Sequence, residues 1–316
     1  MFDLPEAYVW DFWIVADAEQ YHLFFLYASR ALHNPDARHY RASVGHAVSP
    51  DLTNWTRVTD ALVRSDAPAC DDLATWTGSI IKGPDGLWYL FYTGATAAPG
   101  GSNIQSITYA TSPDLYEWTK AGRRVLGADP RWYERLVDGQ WHDEAFRDPW
   151  VLADPDGNGF HLLITARANH GPSDDRGVIG HAWSPDLVDW RVCEPLSEPG
   201  QGFGQLEVPE TVVLDGRHFL IVNCTAPDLS AARRASGTRG GVWIAAAESP
   251  LGPYDIAGAQ LLTDQGYVGR VVTDRSGQQV FLAFRDDGAN GEFVGGITDP
   301  RPIGLDETGR VVFLDR

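Results

Sequence analysis

Three carboxylates stand where they could do chemistry together. Asp11 lies in the run Val9, Trp10, Asp11, Phe12, Trp13; Asp148 in Phe146, Arg147, Asp148, Pro149; and Glu207 in Gln205, Leu206, Glu207, Val208, Pro209. Each is embedded in apolar sequence, and a carboxylate buried there is costly unless something compensates it. Any one of the 43 acidic residues could be a surface acid. Three at what reads as one phase of a repeat point instead to a shared site. Such a group can hold one acid protonated and another ionised, which general-acid and nucleophilic work require.

The elements that must position them follow from internal repetition. The segment GHAVSPDLTNW (45–55) returns as TYATSPDLYEW (108–118), GHAWSPDLVDW (180–190) and, more loosely, AAAESPLGPYD (245–255). A period of roughly 63 to 72 residues built from strands and turns implies a radial array of sheets. In each copy Pro presets φ and Asp can accept a backbone hydrogen bond, and the closing Trp begins the next strand. Apolar strands are expected at 21–29, 87–95, 160–168, 218–226 and 280–288. Three of them follow Asp85-Gly86, Asp156-Gly157 and Asp215-Gly216, a strong hairpin signal. One further strand precedes each, at 8–15, 75–81, 147–153, 207–214 and 267–273. The expectation is an all-β, five-bladed propeller occupying 1–316 as one domain, with these leading strands lining a central channel. The second and fifth would offer Trp76, Gly78 and Ser79, and Gly269 and Arg270.

Composition narrows the classes. The net charge of −18 argues against nucleic acid or an anionic membrane as partner. Three cysteines (Cys70, Cys193, Cys224) have no metal-ligand spacing. With no signal-like segment near Met1 and no transmembrane run, the expectation is a reduced, cytoplasmic protein. The acidic pairs Asp71-Asp72 and Asp286-Asp287 lack calcium-loop spacing, so no metal and no cofactor is expected. His46 and His181 occupy equivalent repeat positions and read as structural; His142 is placed to reach the pocket rim. The run 230–241 reads as a loop that could shape a leaving-group subsite.

The chain resembles the five-bladed propeller glycoside hydrolases of families 32 and 68, and more distantly families 43 and 62. Arg147-Asp148-Pro149 is similar to the RDP motif of families 32 and 68. Glu207-Val208-Pro209 is similar to the E-C-P and E-R-P motifs, and Val9 to Trp13 to the V-W-D-x-W start of family 68. The stretch from Val44 to Ser49 resembles W-G-H-A-x-S, and Thr77-Gly78-Ser79 the substrate-facing S/T-G-S segment. The N-D-P-N-G of family 32 is absent around Asp11. The resemblance implies a small carbohydrate substrate, a β-fructofuranoside such as sucrose or a fructo-oligosaccharide, cleaved with retention. Asp11 would be the nucleophile, Glu207 the acid/base and Asp148 the binder of sugar hydroxyls. Trp10, Trp76, Ser79, Arg147 and Gln205 would bind substrate, with Trp13 divided between pocket wall and core. The alternatives are an inverting arabinofuranosidase or xylosidase like family 43, a fructosyltransferase, or a non-catalytic carbohydrate-binding propeller.

Overall fold

The computed structural model describes residues 1–286 and 292–314. Five antiparallel four-stranded sheets follow one another along the chain, each ordered from its first strand to its fourth. The innermost strands are Ala7–Ala16, Ala74–Lys82, Phe146–Ala153, Glu207–Leu214 and Tyr267–Thr273. The second strands are Tyr21–Ser29, Trp88–Ala97, Phe160–Arg167, Arg217–Cys224 and Gln279–Phe284. The expected strands therefore form, within a residue or two, except that the fifth second strand stops at Phe284; Asp287 and Gly288 lie outside the described residues. Inner strands of successive blades touch, and the fifth touches the first. The fold is a five-bladed β-propeller. Its ring is closed by the N-terminal segment: Phe2 and Ile297 exchange backbone hydrogen bonds (3.0 and 2.8 Å), and the Gly296 N–H donates to Val9 O (2.9 Å).

Apolar clusters fill the spaces between neighbouring blades. One such cluster joins Phe91, Ile107, Phe146 and Ile164 of blades two and three; another joins Leu163, Ile179, Leu220 and Trp243 of blades three and four. Trp13 belongs to this packing, 2% exposed and stacked on Phe24, and so is core rather than pocket wall.

The repeated turn is built as its residues dictate. Asp51 Oδ1 accepts the N–H groups of Thr53 (2.9 Å) and Asn54 (2.8 Å), and Asp114 and Asp186 do the same in their blades. Trp55, Trp118 and Trp190 donate their indole N–H to the carbonyls of Leu52, Leu115 and Leu187 at 2.9–3.0 Å. Those three leucines sit at φ 64°, 71° and 71°, a left-handed conformation uncommon for a branched residue. Full burial of their side chains holds them there. In the looser fourth copy, Gly252 (φ 87°) takes the left-handed conformation instead.

His46 and His181 are structural, as expected. His46 Nε2 meets His22 Nδ1 at 2.9 Å and His181 Nε2 meets His161 Nδ1 at 2.8 Å. His22 and His161 are in turn backed by Asp17 (3.2 Å) and Asp154 (2.8 Å). Burial pushes His46 down to about 3 and His181 down to about 4, so both are neutral imidazoles within a duplicated Asp–His–His chain.

Candidate active site

Every inner strand carries a bulge at the same level. The register with the second strand slips between Trp10 and Phe12, between Trp76 and Gly78, and between Glu207 and Glu210. It slips likewise after Arg147 and after Tyr267. A bulge adds an unpaired residue and re-aims its side chain. Aligned on this slip, Trp10, Trp76, Arg147, Glu207 and Tyr267 are equivalent, followed by Asp11, Thr77, Asp148, Val208 and Val268. Glu207 is thus one residue ahead of the phase shared by Asp11 and Asp148, which corrects the expectation of a single phase. Asp148, Val208 and Val268 adopt φ of 55°, 49° and 50°. For two β-branched valines that strain is roughly 1–3 kcal/mol each. The turned backbone is held by the neighbouring blade. The Asp148 N–H donates to Thr93 Oγ1 (2.8 Å), the Val208 N–H to Thr165 Oγ1 (3.0 Å), and the Gly269 N–H to Asn223 Oδ1 (3.1 Å).

The result is a cavity of ≈ 490 Å³ that Asp11, Asp148 and Glu207 all line, together with Trp10, Trp76, Arg147 and Gln205. This is the size of a small-ligand site, roughly 300–1,000 Å³. Ser79 does not line it. Its hydroxyl donates to Pro149 O (2.6 Å) and accepts from the Val151 N–H (2.9 Å), fastening blade two to blade three. Gly269 and Arg270 are also outside the cavity lining; Arg270 is paired with buried Glu210 at 3.2 Å. His142 does line the cavity.

Arg147 organises the acids. Its Nη2 donates to Gln205 Oε1 and Glu207 Oε1, its Nη1 to Gln105 Oε1 (3.2 Å), and its Nε lies 3.3 Å from Asp148 Oδ2. The fork is thus engaged with protein carboxylates and amides, and Arg147, which also lines the cavity, holds the acids in place. Gln205 likewise gives its carbonyl to Arg147. Glu207 also accepts the Tyr267 hydroxyl proton on Oε2, and Asp11 Oδ2 accepts from the Thr77 hydroxyl. Asp148 Oδ2 accepts from the Thr165 hydroxyl at 2.9 Å and lies 3.4 Å from the Val208 N–H.

Burial is the largest influence on all three acids, and it raises each. It lifts Asp148 to about 7 against the pull of Arg147, with Asp11 and Glu207 adding to the rise. Glu207 is raised by burial and by Asp228, and restrained by Arg147 and Tyr267. Asp11 is raised by burial and restrained by Thr77, Arg38 and Arg270. His39, half-buried near Arg38 and Arg147, is pushed down to about 3 by loss of water and by those two cations, and stays neutral.

The site includes residues that sequence reasoning did not find. Arg38, His39 and Tyr40 come from the 3₁₀ segment Pro35–Arg41. Gln105, Asp143, Asp228 and Tyr267 also line the cavity. A second cavity of ≈ 410 Å³ shares Thr225, Tyr267 and Asp286 with the first and is bounded by Arg239, Asp264 and Gln265. The run 230–241 starts with the short helix Ala231–Ala235, capped by Ser230, and reaches this cavity at its end, where Arg239 lies 3.3 Å from Asp264. Of the acidic pairs, Asp71 is engaged with Lys120 and Tyr92, and Asp286 lines both cavities. Asp287 lies outside the described residues.

A buried acid held near 7 costs stability once it ionises. Below a pH of about 4 both folded and unfolded Asp148 are protonated. As pH rises to about 7 the unfolded chain loses that proton first, so the folded state weakens over that interval and then levels off. Asp148→Asn should therefore be more stable than the parent at pH 8, by on the order of 4 kcal/mol, and the gain should shrink toward pH 4. Thermal melts across this range check it, and a constant difference at all pH values would contradict the assignment.

Five blades thus bring three carboxylates to one cavity. Among solved structures, the inulosucrase from Halalkalicoccus jeotgali bound to kestose superposes with a TM-score of 0.79 over 98% of this chain and 87% of that one, at 22% identity. The Bombyx mori family 32 β-fructofuranosidase superposes with a TM-score of 0.75 over 100% of this chain and 64% of that one, at 18% identity. These likenesses show the fold. The family described as "Glycosyl hydrolases family 32 N-terminal domain" matches residues 13–251, and the chain belongs to that family. The cell wall β-fructofuranosidase of Pisum sativum is 29% identical over 198 residues, which is 60% of this chain and 31% of that protein. The fructan 1-exohydrolase of Triticum urartu is 35% identical over 143 residues, 43% of this chain and 21% of that protein. The chain matches about a third or less of the length of these curated relatives.

Proposed function

We propose that the protein hydrolyses β-fructofuranosides, sucrose or fructo-oligosaccharides, with retention at the anomeric carbon. The observation that carries this reading is the convergence of Asp11, Asp148 and Glu207 on one cavity at bulged strand positions. Asp11 attacks the anomeric carbon while Glu207 gives its proton to the departing oxygen. Water, deprotonated by the same Glu207, then releases the sugar from Asp11. Asp148 binds ring hydroxyls, and Trp10 and Trp76 wall the pocket. The second cavity, beyond Tyr267 on the Glu207 side, receives the part of the substrate that leaves.

Two features support the substrate class: family membership, and relatives described as β-fructofuranosidase and fructan 1-exohydrolase. The test is product analysis with sucrose, inulin-type and levan-type oligomers, and aryl arabinofuranosides. Fructose release, with methyl β-fructofuranoside formed when methanol is added, is the expected result. Arabinofuranoside cleavage without fructose release would sink the proposal. We also place the protein in a reducing, cytoplasmic setting; its three thiols are all free, and Cys224 is fully buried. Cell fractionation combined with thiol labelling tests this, and recovery outside the cytoplasm would overturn it.

A further inference from the structure

We propose that Arg38 acts on Asp11 across the cavity they share, its guanidinium holding that carboxylate in its charged form. The inference rests on the reading of Asp11 as nucleophile. Arg38 stands on the segment Pro35–Arg41, which crosses from the second to the third strand of blade one. Its side chain is only 10% exposed, and a guanidinium is not buried to that extent without compensation.

The compensation seen is partial. Nη1 donates to Pro35 O (2.9 Å), and the flat faces lie against the rings of Phe293 (3.8 Å) and Trp10 (5.5 Å). The carboxylate at ion-pair distance is Asp36, 3.9 Å away and 96% exposed, where water weakens its pull. Nε is buried and has no hydrogen-bond partner among the described residues. A cation with an unused donor thus lines the same cavity as Asp11.

The other arginines near the acids are committed. Arg147 is shared by Asp148 and Glu207, and Arg270 is paired with Glu210. Asp11 is faced by the Thr77 hydroxyl, Arg38 and Arg270, and it acts on Asp148 across the cavity. Arg38 is faced by Asp11, Asp286, Asp36 and Tyr8, with His39 beside it. No ion pair joins Arg38 to Asp11. The cation therefore acts on Asp11 through its field, which opposes the rise that burial imposes on that carboxyl.

The test compares Arg38→Gln, Arg38→Met and Arg38→Lys with the parent. Carbon-13 NMR titration of the Asp11 carboxyl, assigned by its loss in Asp11→Asn, should show its pKa about one unit higher in an uncharged variant and near the parent value in Arg38→Lys. The acid limb of kcat/KM on sucrose should move to higher pH by the same amount, so that activity falls about tenfold more below the limb than above it. An unmoved Asp11 titration overturns the proposal whether or not sucrose is cleaved. A protein that cleaves no fructoside yet shows the shifted titration would fail the functional reading alone. If Arg38→Lys folds and neither uncharged variant does, Arg38 belongs to the scaffold and the proposal falls.

Discussion

Glu207→Ala should lower kcat/KM on sucrose by about 10²–10⁴-fold and on a nitrophenyl β-fructofuranoside by less than about tenfold. The alkoxide of a natural sugar is a poor leaving group until it is protonated, whereas a nitrophenolate departs with little help. Glu207 is well placed to supply that proton, because burial keeps its proton affinity high while Arg147 and Tyr267 fix its two oxygens. The rival acid is Asp148, which burial lifts to about 7. Hydrogen bonds fix Asp148 through Oδ2 just as they fix both oxygens of Glu207, so the proposed roles, Glu207 as acid and Asp148 as binder of ring hydroxyls, are separated by their leaving-group dependence. Asp148→Asn should accordingly lose activity on both substrates alike. If Glu207→Ala behaves that way and Asp148→Asn shows the leaving-group dependence, the acid is Asp148.

The blade order was legible because three of the five blades repeat turn chemistry that only a few residue types support. Asp51, Asp114 and Asp186 cap their turns, and Trp55, Trp118 and Trp190 close them, all at visible spacing. The three carboxylates were legible because acids among apolar residues stand out. What sequence did not show is the bulge. A one-residue slip moves a side chain to the other face, and nothing in Tyr267-Val268-Gly269-Arg270 marks Tyr267 as the residue level with Glu207. Counting from the strand alone brings Gly269 and Arg270 into the channel, where the structure puts Tyr267. Ser79 misleads for a related reason: its hydroxyl is consumed by the backbone of the next blade. A weak signal was available in Thr93, Thr165 and Asn223, polar residues at one level of otherwise apolar second strands, each of which receives a turned N–H from the following blade. Arg38 and His39 carry no repeat signature, since they arrive on a crossover rather than on a strand.

Asp11→Asn should abolish fructose release, a loss of at least about 10⁴-fold, without loss of folding. The amide keeps the shape of the carboxylate and still accepts the Thr77 hydroxyl proton through its carbonyl oxygen. It also removes a charge that burial opposes, so the variant should melt no lower than the parent and still bind sucrose. What it lacks is the negative charge that forms the bond to the anomeric carbon. Loss of activity alone would not separate a nucleophile from a binding group, but azide can. In Asp11→Ala, azide enters the vacated space and attacks from the Asp11 side, giving a fructosyl azide of inverted configuration. In Glu207→Ala the covalent intermediate on Asp11 still forms with an activated substrate, and azide replaces the water that Glu207 no longer activates, giving retained configuration. The stereochemistry of the two azides thus reports which carboxylate makes the bond. A retained product from Asp11→Ala together with an inverted one from Glu207→Ala would exchange the two roles.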